Sequence, residues 1–307
     1  DISNDFITFQ FIANNIRNTI IHSATSGPGS FFKSNPPKGQ KLMNYYQDKV
    51  IWITGASSGI GEYLVYELSR FGASIILSSR RPEELHRVAK SSGLSENNYK
   101  ILPLDLANHS SIPDVVEQAM AWKGRIDILI NNGGVSQRAL AQNTTLDVEK
   151  KLFNINYFGT IEVTRHVIPH MIKNGGGHIN VVSSVLGKIG VSGRSSYCGS
   201  KHALHGYLDV LRSEVYEHGV HISVVCPGYI KTNVSKNALS ADGNPHDKMD
   251  HSQMKGMSAE KFAKKMVRKL RTKRNEYYIG GPEVFAVYLM RWVPWLVYRV
   301  QRRIKFK

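Results

Sequence analysis

From Lys49 onward, short runs rich in β-branched residues alternate with amphipathic stretches of helix length, and this alternation leaves few architectures open. The runs cover 50–53, 74–77, 101–104, 126–130, 178–182 and 221–225. The stretches between them cover 60–71, 82–91, 110–122, 147–173 and 196–217. Each run is almost continuously apolar, the pattern of a strand covered on both faces. Parallel neighbours need a crossover, and helices supply it. The order therefore predicts an α/β chain with right-handed βαβ units and a doubly wound parallel sheet between two helical layers. At 307 residues the chain is long enough for one such domain with a large core.

Other classes drop out quickly. Hydrophobic residues make up 41% and charged residues 21%, so wholesale disorder is excluded. Cys198 and Cys226 are the two cysteines, too few for a disulfide scaffold or a cysteine-rich zinc site. The histidines form no ligand cluster along the sequence: His202, His205 and His218 are spread along one helix, and His166 and His170 lack an acidic partner there. No metal is expected. No apolar run reaches the roughly 20 residues of a spanning helix.

The formal charge is +16, and it is unevenly placed. Positions 255–307 hold fifteen Lys and Arg against three Glu, a net +12 of that total. An anionic partner is implied: a phosphate-bearing cofactor or a lipid surface. No nucleic-acid motif accompanies the charge, and none is expected as a ligand.

Residues 1–42 are expected to form an extension outside the core. Positions 23–40 are rich in Ser, Gly and Pro, and Met43 opens a stretch that looks like a protein start. Between Asn233 and Gly256 the chain is polar and carries no substrate signature. Over 258–272, Ala259, Phe262, Ala263, Met266, Val267 and Leu270 share one face, as in a helix that covers a sheet. Positions 284–298 are apolar except for Arg291 and Pro294, and Arg299, Arg302, Arg303, Lys305 and Lys307 follow. That tail, 284–307, suits an in-plane membrane contact; a cover over the substrate pocket or a subunit interface is the rival reading.

The first strand runs into Thr54-Gly55-Ala56-Ser57-Ser58-Gly59-Ile60-Gly61, and a helix follows. Gly55 and Gly59 permit a tight turn close to a diphosphate. Gly61 lets the helix pack against the strand, and the helix N-terminus faces the anion. The second strand ends in Ser78-Ser79-Arg80-Arg81. An acidic residue here would hold the 2′-hydroxyl of NAD. Two arginines suit a 2′-phosphate instead, so NADP(H) is expected over NAD(H).

Tyr197 and Lys201 stand four apart on a predicted helix and share a face. Ser184 lies thirteen residues before Tyr197, just after a predicted strand. Asn131-Asn132-Gly133-Gly134 and Asn156-Tyr157-Phe158-Gly159 lie further upstream. In this order and spacing the set resembles the short-chain dehydrogenase/reductases, from about Asp48 to Pro282. The runs Asn131 to Arg138 and Pro227 to Thr232 resemble the dehydrogenase/reductase member 7 branch, including its 7B form, and are similar to bacterial members.

The resemblance implies a Rossmann-type α/β/α sandwich over 43–283 and an NADP(H)-dependent oxidoreductase that interconverts a carbonyl and an alcohol. Tyr197 would be the proton donor and acceptor, Ser184 would hydrogen-bond the substrate oxygen, and Lys201 would lower the tyrosine pKa and hold the nicotinamide ribose. Asn156 would anchor a relay water. Gly55, Ser57, Ser58, Gly59, Ile60 and Gly61 would cradle the diphosphate, with Arg80 and Arg81 at the 2′-phosphate. Asp105 and Leu106 would flank the adenine, and Asn132 and Gly133 would support the ribose. Pro227, Gly228, Ile230 and Thr232 would hold the nicotinamide end. Gly133 stands where the family pattern has alanine.

The substrate implied is small and hydrophobic, and a homo-oligomer joined through the Tyr197 helix is expected. The cytoplasm, or the cytoplasmic face of a membrane, is the expected location. Two readings of other classes remain: a nucleotide-binding scaffold without turnover, and a peripheral membrane protein whose nucleotide site only sets its shape.

Overall fold

The structure, a computed structural model, describes residues 38–248 and 251–303. Most of the extension expected over 1–42, and the basic end of the tail at 305 and 307, lie outside the described residues. The compact unit described here comprises residues 39–307. The packed chain begins before Met43. Helix α1 (Lys38–Tyr46) buries Leu42 and Tyr46, and the Tyr46 hydroxyl donates to the Val267 carbonyl at 2.7 Å.

The strands that follow are β1 (Val50–Thr54), β2 (Ser74–Ser78), β3 (Tyr99–Ile101), β4 (Ile128–Asn131), β5 (Gly177–Val182) and β6 (Val220–Pro227). A two-residue pair, β7 (Ile230–Lys231) with β8 (Met257–Ser258), stands apart, and β9 (Glu276–Ile279) completes the main sheet. The sheet order is β3-β2-β1-β4-β5-β6-β9, parallel throughout. The helices after α1 are α2 (Gly59–Ser69), α3 (Pro82–Ser92), α4 (Ile112–Lys123), α5 (Leu146–Phe153), α6 (Gly159–Lys173), α7 (Ser195–Glu214), α8 (His251–Met254), α9 (Ala259–Leu270), α10 (Phe285–Trp292) and α11 (Pro294–Gln301).

The pleat of β1 shows how the layers are divided. Ile51 and Ile53 join Leu64, Leu68, Phe262 and Met266 in one core, beneath α1, α2, α3 and α9. Val50 and Trp52 join Val163, Val167, Leu204 and Leu208 in the other, beneath α4, α6 and α7. Successive strand residues face opposite ways, so a strand covered on both sides must be apolar at every position. The six apolar positions read in 258–272 are all buried in α9, whose N-cap Ser258 accepts the Lys261 N–H at 3.3 Å.

Three local differences from the sequence reading have physical causes. β3 is placed at 99–101, earlier than 101–104. The ladder nevertheless goes on, because the N–H groups of Leu102 and Leu104 donate to the carbonyls of Leu77 and Ser79. The stretch 147–173 is not one α-helix: a π turn over Asn154–Phe158 separates α5 from α6. β9 has a half-exposed alternating pattern, unlike the apolar central runs, and that made it invisible beside the basic α9.

β1 leads outward to β2 and β3, and the chain then crosses to β4 on its other side. That reversal opens a crevice beyond the carboxyl ends of β1 and β4, the place where open α/β sheets bind ligands.

Candidate active site

Gly55 and Gly59 take left-handed backbone angles, with φ of 67° and 58°. A Cβ on Gly61 would lie 2.1 Å from the Gly55 carbonyl oxygen, so α2 packs directly on the turn. Ser58 is extended at the N-cap of α2 and its side chain makes no cap bond. The first-turn N–H groups are left for an anion. Ser57 is buried beside them, and Ile60 packs on the core below.

Asn132 ties β4 to this loop: its Nδ2 donates to the carbonyls of Thr54 and Gly55 at 3.1 and 3.2 Å. The Thr54 hydroxyl accepts the N–H groups of Asn132 and Gly133. A Cβ on Gly133 would lie 2.7 Å from Leu106 Cδ1. The departure from the family alanine therefore has a local cause: Leu106 fills that space. Asp105 is exposed and accepts the Ala107 N–H. Pro227 ends β6, Ile230 is buried in β7, and the Thr232 methyl comes within van der Waals contact of where a Gly59 Cβ would be. Glu283 seals the Gly228 turn by accepting the Tyr229 N–H at 2.8 Å.

The two arginines after β2 part company. Both are exposed, but Arg81 Nη2 donates to Ser57 Oγ at 3.2 Å, so Arg81 reaches the glycine loop. Arg87, one turn into α3, donates to the Ser57 carbonyl at 3.4 Å and pairs with Glu62 and Glu84. No sequence signal singled out Arg87.

Ser183 and Ser184 follow the end of β5 and meet different partners. Ser184 stands beside the Tyr197 hydroxyl, where it favours the phenol's charged form, and its Oγ accepts the Leu186 N–H at 3.1 Å. Ser183 pairs with His205 at 3.1 Å. Lys201 is buried; its ammonium donates to the Val182 carbonyl at 3.0 Å and lies 6.0 Å from the Tyr197 ring centroid. Burial lowers the Lys201 pKa to about 8. Burial also pushes the Tyr197 phenol above its ordinary value, against the opposing pull of Arg194 and Ser184.

Asn156 sits in the π turn, a distortion often found at functional sites. Its amide is held at both ends by Val135, accepting the N–H at 2.8 Å and donating to the carbonyl at 2.9 Å, and it also donates to Ser200 Oγ. A Cβ on Gly134 would lie 3.0 Å from Asn156 Oδ1 and 3.6 Å from Lys201 Nζ. Gly134 therefore keeps the space between these two polar groups open. Gly134 is part of the Asn-Asn-Gly-Gly run, whose sequence alone assigns it no role.

The short chain dehydrogenase family profile matches residues 49–243. The chain belongs to the short-chain dehydrogenases. A Drosophila melanogaster relative, dehydrogenase/reductase SDR family protein 7-like, is 40% identical over 83% of this chain and 79% of its own length. The human dehydrogenase/reductase SDR family member 7 is 40% identical over 80% of this chain and 75% of its own. Bovine member 7B is 33% identical over 85% and 82%. Among solved structures, a short-chain dehydrogenase from Burkholderia cenocepacia in complex with NADP superposes with a TM-score of 0.69 at 22% identity, over 83% of this chain and 98% of that one. One from Burkholderia phymatum in complex with NAD gives 0.71 at 19% identity, over 86% and 98%. The Rossmann fold of this short-chain dehydrogenase is thereby shared with structures far from it in sequence.

Behind the site of this dehydrogenase lies a buried polar network. His205, Cys226 and Glu276 approach one another, with Cys226 Sγ 3.7 Å from His205 Nε2 and 3.5 Å from Glu276 Oε1. Their lone pairs are already engaged: Glu276 binds Lys188 at 3.1 Å and His205 binds Ser183. An ammonium on the only carboxylate disfavours a cation, and the trio holds β6, β9 and α7 together.

The last two helices are apolar on two sides. Ala286, Val287 and Met290 of α10 pack with Val185, Leu186, Ile189, Cys198 and Tyr197. Phe285, Tyr288, Leu289 and Trp292 occupy the opposite stripe of α10, with Phe285 70% and Trp292 78% exposed. Trp295, Leu296, Tyr298 and Val300 of α11 are exposed as well, next to Arg291, Arg299, Arg302 and Arg303. Among the described residues no helix is long and apolar enough to cross a membrane.

Proposed function

We propose that this chain is an NADP(H)-dependent carbonyl reductase of small hydrophobic substrates. The placing of Ser184 beside the Tyr197 hydroxyl, next to a glycine loop at the switch point of the sheet, carries the reading. Gly55, Gly59 and Gly61 leave a cradle that a side chain would fill, so the residues present fit a dinucleotide. A nicotinamide cofactor bound there supplies the hydride.

The protein's part is the proton and the charge. With its pKa held above the ordinary value, the half-buried Tyr197 phenol stays protonated at neutral pH, which suits proton donation to a carbonyl oxygen. The Ser184 hydroxyl donates to the same oxygen as negative charge develops on it. Lys201, held against the end of β5, offers an ammonium to the ribose hydroxyls. Val185, Leu186 and Ile189 beside Tyr197 give the substrate end an apolar character, which supports a hydrophobic substrate.

The 2′-phosphate is assigned to Arg81 first and Arg80 second, because Arg81 already touches Ser57. A guanidinium and a phosphate make a charge-assisted pair that a 2′-hydroxyl cannot replace. In a fluorescence titration Arg81→Ala is expected to weaken NADPH by about 10- to 100-fold, the loss of a hydrogen bond to a charged group, and to leave NADH unchanged. Equal binding of both cofactors to wild type would end the NADP assignment.

The outer stripe of α10 and α11 is the part we assign to a membrane surface, on the cytoplasmic face. Its aromatic residues suit the headgroup region, and the flanking arginines suit anionic lipid. In flotation, wild type should bind phosphatidylserine vesicles better than phosphatidylcholine vesicles. The pair Trp292→Glu and Trp295→Glu should reduce binding at least about tenfold, since each buried tryptophan contributes on the order of 2 kcal/mol. Wild type that stays with the soluble fraction on both vesicles removes the membrane contact. A homo-oligomer through α7 belongs to the same reading by family resemblance.

A further inference from the structure

Gln137 is wholly buried in the segment after β4, and nothing in the sequence motifs assigns it a role. Its Oε1 accepts two backbone N–H groups at the start of α7, from Ser196 at 2.9 Å and Tyr197 at 3.2 Å. Its Nε2 donates to Thr144 Oγ1 at 3.0 Å and, more loosely, to Ser195 Oγ at 3.4 Å. The reverse orientation of the amide would set N–H against N–H, so the donor set fixes it.

The start of α7 needs this partner. The N-cap residue, Arg194, makes no side-chain cap bond to its own helix. The first N–H groups of a helix have no intrahelical acceptor, and here they are in a buried place. A carboxamide from a distant segment therefore does what an N-cap serine does elsewhere. The clamp extends to both sides of Gln137. Arg194 Nη1 donates to Ser136 Oγ at 3.0 Å, and the Ala139 N–H donates to the Gly193 carbonyl at 3.2 Å. On the other edge, Arg138 and Leu239 pair through backbone, with Arg138 N–H to the Leu239 carbonyl at 2.8 Å.

We infer that Gln137 is a positioning residue for proton transfer: its carboxamide fixes the first turn of α7, and so the place of the Tyr197 hydroxyl beside Ser184. It touches neither reacting atom. The inference rests on Tyr197 being the proton donor. A phenol on the first turn of a helix moves with that turn, and a displacement of about 1 Å can cost about 100-fold in rate.

The comparison uses Gln137→Glu, Gln137→Met and Gln137→Asn, with NADPH and the probe ketone phenanthrenequinone. Glutamate keeps an acceptor at the same reach, and the Thr144 and Ser195 hydroxyls can turn to donate to it. Methionine keeps the shape without the acceptor. Asparagine keeps the polarity but falls one carbon short, so it stands in if the methionine variant does not fold.

The expected result is a kcat lower by about 10- to 100-fold for Met and Asn. KM for the ketone and Kd for NADPH should stay within about threefold, and Glu should keep kcat within about fivefold of wild type. A Met or Asn variant with kcat within threefold of wild type overturns the inference. So does a Glu variant as slow as Met, because that outcome describes packing alone. Tyr197→Phe, measured beside them, separates the two layers. If it turns over, the proton-donor reading falls and this inference with it. If it is inert while Met and Asn run normally, only the inference falls.

Discussion

Tyr197→Phe should lower kcat/KM for carbonyl reduction by about 10³-fold while NADPH binds as it does to wild type. The substitution removes one oxygen from a half-buried ring and leaves the ring's packing against Val185 and Leu186 in place. What is lost is the proton donor, and a positioned general acid is worth about 10² to 10⁴ in rate. Ser184 remains as a hydrogen-bond donor, so residual turnover above the uncatalysed rate is expected.

The pH profile of wild type gives a second check on the same site. Burial keeps the phenol protonated through neutral pH. Lys201, lowered to about 8, loses its positive charge as pH rises through that value. Reduction should therefore be flat below about pH 8 and fall above it in kcat/KM, which reports the free enzyme. A Tyr197→Phe protein that retains a tenth of wild-type turnover would sink the mechanism. A profile with no limb near pH 8 would remove Lys201 from the free enzyme's essential groups.

The layers and the glycine loop were legible because the physics that builds them is local. A strand buried on both faces must be apolar throughout, and Val50 to Ile53 shows it. A turn that approaches a phosphate must dispense with side chains, and Gly55, Gly59 and Gly61 show that. The distance between Tyr197 and Lys201 is a property of one helix. The rest depends on contacts between segments far apart. Gln137 looks like any polar loop residue until α7 is set against it, sixty positions later. Arg80 and Arg81 are indistinguishable as letters, and only the path of the chain out of β2 turns Arg81 toward Ser57. Leu106 explains Gly133 for the same reason: the two meet across the crevice and not along the chain. The tail 284–307 read as one basic amphipathic segment, and the structure divides 285–301 into an inner stripe packed near Val185, Leu186 and Tyr197 and an outer one in solvent.

Gly61→Ala tests the cofactor end most severely, and its expected effect is loss of measurable NADPH binding together with a large drop in thermal stability. The new methyl would sit 2.1 Å from the Gly55 carbonyl oxygen and 2.8 Å from Asn132 Nδ2. Neither neighbour is the free end of a long side chain. The Gly55 carbonyl belongs to a turn held at φ 67°, and Asn132 is fixed by its bonds to Thr54 and Gly55. The helix start must therefore move away from the turn. Overpacking of this kind costs about 1–3 kcal/mol, and loss of the Asn132 bonds adds about 1 kcal/mol each. The same displacement carries the first-turn N–H groups of α2 away from the diphosphate, so binding and stability fall together.

Gly206→Ala is the control. It lies within α7, its added Cβ meets nothing within 4 Å, and alanine is the better helix former by about 1 kcal/mol. It should bind NADPH normally and melt no lower than wild type. If Gly61→Ala instead matched that control in a thermal melt and an NADPH titration, the close packing of α2 on the Gly55 turn would not be the conformation that holds the cofactor. The dinucleotide would then have to bind a rearranged loop, and the residues assigned to its diphosphate would have to be assigned again.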